Sequence, residues 1–202
     1  MPKGFDAYAS MKHGMAEKFA ADGYQFSAGY LFVSSGFKVL RDRSECEAVT
    51  DAGMSNVLIF ENGRPINDAY FNAAKGEYDH VHAIPLAIAT GAVRNGTVGL
   101  YYAVDGDASS DPNGPVANYF RHVHGPTRDA GFLTGVYGSG AVCKMLVELG
   151  LVTKTWLSQS TGFPGYHDWL AKADIVQGHS ANVHGIDIDY DISDGHAGGF
   201  KV

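Results

Sequence analysis

The chain has little cysteine, no long apolar run and a shortage of positive charge, and each absence narrows what it can be. Its 202 residues hold 2 cysteines, Cys46 and Cys143. They lie far apart, without the spacing of a metal site or a disulfide framework, and read as reduced core thiols. No apolar stretch approaches the roughly 18 residues of a membrane-spanning helix. Lys and Arg number 15 against 22 Asp and Glu, a formal charge of -7. That balance argues against nucleic acid, whose phosphates demand a basic surface, and fits poorly with anionic lipid. The N-terminus lacks a basic segment followed by an apolar one, so classical secretion is not expected and synthesis is expected in the cytoplasm.

What is present suits a compact α/β globule. Hydrophobic residues make up 45% and aromatics 12% of the chain, enough for a full core in one domain spanning 1–202. The 26 glycines suggest many tight turns between strands and helices. Strands are expected near 4–9, 27–32, 57–61, 101–107, 134–138, 155–159, 173–177 and 185–189. Helices are expected at about 11–21, 42–52, 68–95, 116–123, 141–149 and, weakly, 166–172, with Pro85 kinking or splitting the long one. Eight strands alternating with helices imply a parallel sheet, and the fold class is a short (β/α)8 TIM-type barrel with reduced last helices. An open doubly wound sheet is the rival.

Tyr101-Tyr102-Ala103-Val104-Asp105-Gly106-Asp107 is the most informative run. Side chains two apart on a strand share a face, so Tyr101, Ala103, Asp105 and Asp107 are expected to point one way. Acids also end other strands, at Asp6, Glu61, Asp187 and Asp189. In a barrel the strand ends meet at one mouth. Close carboxylates in a partly dry cleft push their proton affinities apart, as glycosidic cleavage requires. The mouth is also expected to hold Gln177 and the rings of Tyr30, Tyr101, Tyr137 and Trp156 for sugar contacts. No metal or cofactor is expected.

The order and spacing of Gly4-Phe5-Asp6-Ala7-Tyr8, Tyr102 through Ala108, Gly135-Val136-Tyr137-Gly138 and Gly185 through Asp189 resemble the bacterial and phage glycoside-hydrolase-like domain of unknown function. That domain is similar to the family 25 lysozymes, which cleave peptidoglycan glycan strands. The resemblance implies Asp6, Asp105 and Asp187 as catalytic acids and Asp107 in the place of the general acid. Glu61 would supply a longer arm, and Asp189 would join it in binding substrate. The implied partner is peptidoglycan, reached through phage lysis, a virion or non-classical export.

Asp107 stands where the lysozymes carry Glu, one methylene shorter, which favours the competing reading of a non-catalytic glycan-binding or structural module, such as a virion part. Loops 34–41 or 107–115 plugging the mouth would favour it too. A magnesium-dependent phosphatase is a further alternative, since Asp105-Gly106-Asp107 also resembles an Asp-x-Asp nucleophile loop. Its position on the fourth strand is wrong for that family. The run Asp187-Ile188-Asp189-Tyr190-Asp191 departs from a calcium loop at its sixth and twelfth positions.

Overall fold

A computed structural model describes residues 1–34 and 38–202. Eight strands close into a barrel in sequence order: β1 (Lys3–Asp6), β2 (Phe26–Leu31), β3 (Ser55–Phe60), β4 (Gly99–Ala103), β5 (Leu133–Gly138), β6 (Lys154–Leu157), β7 (Ile175–Val183) and β8 (Ile186–Ser193). Between them run α1 (Met15–Ala21), α2 (Arg43–Asp51), α3 (Ala73–Ala89), α4 (Pro115–Asp129), α5 (Gly140–Glu148) and the single-turn α6 (Tyr166–Trp169). The expected short α/β barrel with shrunken last helices is therefore the fold, and the open sheet is excluded.

Local chemistry explains most boundaries. Asp42, Asn72 and Ser139 cap α2, α3 and α5, each side-chain oxygen accepting from a backbone N–H three residues on, which satisfies donors a helix start leaves open. Helix α3 differs from expectation: it begins at Ala73 instead of near residue 68, and Pro85 lies inside one unbroken helix. The proline leaves only the carbonyl four residues earlier without its donor, and that residue, Val81, is 53% exposed, so water can reach it.

Strand parity sorts the core into two layers. Leu100, Tyr102 and Val104 face outward into the layer beneath the helices with Phe60, Phe120 and Leu146. Tyr101, Ala103, Tyr30, Trp156 and Ile175 fill the barrel. The interior is a packed core of large rings. Tyr101 lies so close to β5 that a Cβ on Gly135 would come within 2.6 Å of its ring, which is why a glycine stands there.

The direction of the last strand departs from the expected all-parallel sheet. β1 through β7 run parallel, but β8 is antiparallel to both β7 and β1. A two-residue turn, His184-Gly185, joins β7 to β8, with φ of 54° and 81°, as tight hairpin turns require. Two residues cannot carry a chain back along the barrel, so the strand must reverse. Asp187 and Asp189 therefore reach the mouth from the beginning of β8, where the end of a parallel strand was expected.

Candidate active site

Asp6, the last residue of β1, is the hub of the mouth. Its carboxylate is buried; Tyr30 Oη of β2 donates to Oδ1 at 2.6 Å and Gln177 Nε2 of β7 donates to Oδ2 at 2.9 Å. Register makes this possible, since Asp6 stands opposite Ala28 on one side and Asp189 on the other. The same Gln177 amide reaches Asp189 Oδ2 at 3.3 Å, while its Oε1 accepts from Tyr137 Oη at 2.8 Å and from the Gln159 backbone N–H at 3.3 Å. Ser180 Oγ donates to the second oxygen of Asp189. Both ends of Gln177 are thus committed, and its orientation is fixed.

Glu61 follows β3 directly and is buried in an ion pair with Lys38. Asp105 lies two residues beyond the end of β4 and is open to solvent. Its backbone N–H donates to Pro65 O at 2.8 Å, so the chain here has left the strand and joined the β3–α3 loop. Gly106 is pressed against that loop, where a Cβ would meet Ile66 O at 2.0 Å. Beyond this turn the alternation of the strand no longer holds. Asp107 is exposed.

Burial raises the Asp6 carboxyl to about 7, although the bonds from Tyr30 and Gln177 work against it; the Asp189 and Glu61 charges add to the rise. On its crowded side Asp105 also loses solvation, and with the neighbouring Glu61 charge its carboxyl rises to about 6, while Lys38 pulls the other way. Both carboxyls therefore hold a proton well above the ordinary range, Asp6 more tightly than Asp105.

A consequence for stability follows. The folded state holds the Asp6 proton more tightly than the unfolded chain, whose carboxyl titrates near 3.8. The stability tied to this group is complete below that value and is lost as pH rises through about 7. Urea denaturation is expected to show unfolding free energy falling between about pH 4 and 7, and Asp6→Asn is expected to flatten that slope. An unchanged slope would mean that Asp6 titrates normally.

Of the residues expected at the site, Asp6, Glu61, Asp105, Asp189, Tyr30, Tyr137 and Gln177 come together. Asp187 is exposed on the rim and accepts from Asn182 Nδ2 at 2.7 Å across the β7–β8 hairpin. Tyr101 and Trp156 do not reach the mouth and are corrected to core residues. Both are wholly buried, and Tyr101 Oη donates to Ala197 O at 2.9 Å, away from the acids. Trp156 Nε1 donates to Asp191 Oδ1 at 2.9 Å. Their strand positions were right for an inward direction, but direction does not give depth.

Three residues were missed. Asp191 is fully buried inside the barrel, and desolvation together with the Asp6 charge raises its carboxyl well above the ordinary value. The alternation Asp187, Asp189, Asp191 was the available signal. Tyr8, 41% exposed, lies against Tyr30 with ring centroids 4.5 Å apart and gives the mouth an accessible aromatic face. Lys38 had no signal, because it lies 23 residues before Glu61 in a loop. Residues 35–37, within the 34–41 loop whose plugging of the mouth would favour a binding module, lie outside the described residues.

The fold and site together place the chain among closed α/β barrels with a carboxylate-lined mouth. The chain belongs to the Rv2525c-like, glycoside hydrolase-like domain family, whose model matches residues 17–194. Among solved structures, the Tat-secreted protein Rv2525c of Mycobacterium tuberculosis, in complex with L-tartrate, superposes with a TM-score of 0.80 at 17% identity, covering 98% of each chain. An uncharacterized B. stearothermophilus protein gives 0.71 at 14% identity over 99% of this chain and 100% of that one. A family 25 glycosyl hydrolase from Bacillus anthracis gives 0.57 at 13% identity over 96% and 89%. At such identities the likeness is one of fold. No curated protein matches the chain.

Proposed function

We propose that the chain is a glycosidase that cleaves glycan strands of the bacterial cell wall, with Asp105 as proton donor. The observation that carries this reading is Asp105 itself, a carboxyl open to solvent with its proton held to about 6, beside acids fixed by the Tyr30–Asp6–Gln177–Asp189 network. Asp105 would protonate the glycosidic oxygen as the bond to the anomeric carbon breaks. Asp189 would stabilise the oxocarbenium-like charge, Asp6, protonated in the same pH range, would keep Gln177 and Asp189 in place, and water would add to the anomeric carbon and return a proton to Asp105. Tyr8 offers a ring face for sugar. Asp107 and Asp187, on the rim, would contact more distant sugar units. The fold of the family 25 hydrolase supports the substrate class.

Dye-labelled peptidoglycan incubated with the full chain between pH 4 and 8 tests the reading. Release is expected to be greatest below about pH 6, where Asp105 holds its proton. No release anywhere in that range overturns it. A second reading, a glycan-binding barrel without catalysis, is favoured by one observation: Asp6, Glu61 and Asp189 are all engaged by protein partners. Co-sedimentation with insoluble peptidoglycan without dye release would support that reading.

A further inference from the structure

Lys38 is a cation placed inside an acidic mouth. Its side chain is 6% exposed, although lysine is almost never so buried unless paired. Two backbone bonds bring it there. Val39 N–H donates to Tyr8 O and Arg41 N–H to Tyr30 O, both at 2.9 Å, stitching this stretch along the loop after β1 and along β2. Its Nζ contacts Glu61 Oε1 and stands 4.8 Å from the ring centroids of both Tyr8 and Tyr30. Ring faces attract a cation, so the pocket suits a charged lysine.

We propose that Lys38 is a positioning residue: it holds the Glu61 carboxylate in an ion pair under the two tyrosine rings and, through that balance of charge, sets the proton affinity of Asp105. This deepens the reading of Asp105 as proton donor and rests on it for its catalytic meaning. Strands β3 and β4 are neighbours with Phe60 opposite Tyr102, so Glu61 leaves β3 beside the end of β4, two residues before Asp105, whose carboxyl feels both the Glu61 and the Lys38 charge. A bare Glu61 charge would hold the Asp105 proton too tightly, whereas a lysine close to both acids offsets it. The titratable groups facing this centre are Asp6 and Tyr8 from β1 and its loop, Tyr30 from β2, Glu61 after β3, Tyr70 from the loop before α3, Asp105 after β4, Tyr137 from β5 and Asp189 from β8. Burial holds the four tyrosines neutral. The Glu61 charge and, after it, the Asp189 charge raise the Asp105 carboxyl, and Lys38 opposes them.

Carbon-13 titration of the aspartate carboxyls in the full chain tests this without relying on catalysis, with Asp105→Asn assigning the signal. Lys38→Met is expected to raise the Asp105 midpoint by about one pH unit, a roughly tenfold gain in proton affinity. Lys38→Arg, which keeps the charge, is expected to hold it near the wild-type value. Glu61→Gln leaves the lysine unopposed and is expected to move the midpoint down. The opposite directions separate a charge effect from general damage to the mouth, and if Lys38→Met fails to fold, Glu61→Gln still decides. An unmoved midpoint, shifts of the same sign, or a Lys38→Arg midpoint that follows Lys38→Met overturns the proposal. Absence of peptidoglycan cleavage with the titration pattern intact would overturn the glycosidase reading alone.

Discussion

Asp105→Asn is expected to lower the rate of glycan cleavage by roughly 10² to 10⁴-fold, the range a positioned general acid supplies, and to abolish the fall in rate above about pH 6. The amide fills nearly the same volume on an exposed side chain, so its cost to folding should be small and the loss chemical. Asp107→Asn is the comparison. Its side chain is exposed, and losing a contact to a distant sugar unit is expected to raise KM with kcat little changed. Both variants are to be compared in the dye-release assay with denaturation curves alongside. A collapse with Asp107→Asn and retention with Asp105→Asn would return the donor role to the residue that the strand pattern first indicated.

The second large effect concerns the barrel interior. Trp156→Ala is expected to lower unfolding free energy by about 4 kcal/mol, a large part of the 5 to 15 kcal/mol typical of a domain. The indole is wholly buried, its ring meets the edges of Tyr101 and Tyr137 at centroid distances of 5.8 and 5.4 Å, and it donates the bond to Asp191 Oδ1. Removing it leaves a cavity and a buried carboxyl without that donor, whose Oδ2 already has no partner among the described residues. Trp156→Phe refills much of the space but not the donor, and about 1 to 3 kcal/mol is expected for the orphaned oxygen. Chemical denaturation of the three proteins separates the contributions. A loss below about 1 kcal/mol for the alanine variant would contradict such packing.

The barrel was legible because alternation is physical: inward Tyr101 and Ala103 and outward Leu100 and Tyr102 follow from the two-residue period of a strand. The same period also misled. It was extended to Asp107, but Gly106 and the bond from Asp105 N–H to Pro65 O end the strand geometry earlier. Alternation reads identically in both directions, so Ile186-Asp187-Ile188-Asp189 announced a strand without announcing its reversal. The scarcity of residues between β7 and β8 was visible, yet it was taken as a shortened crossover when it was a hairpin. Depth was invisible for Tyr101 and Trp156, since distance from the mouth depends on the register of eight strands. Lys38 shows the limit of local pattern. Its meaning lies in a contact with Glu61, which only the closed barrel creates.

The reversal of β8 also decides how the molecule can be held. Because β8 runs downward, Ser193 lies level with Pro2, to whose carbonyl its N–H donates at 3.0 Å, and Phe200 bridges to Asn56 near the start of β3. Both chain ends therefore lie on the floor, the full height of the barrel away from Asp105. A surface, tag or neighbouring domain joined at either end would hold the barrel by its base and leave the acidic mouth facing away, free to meet an insoluble polymer.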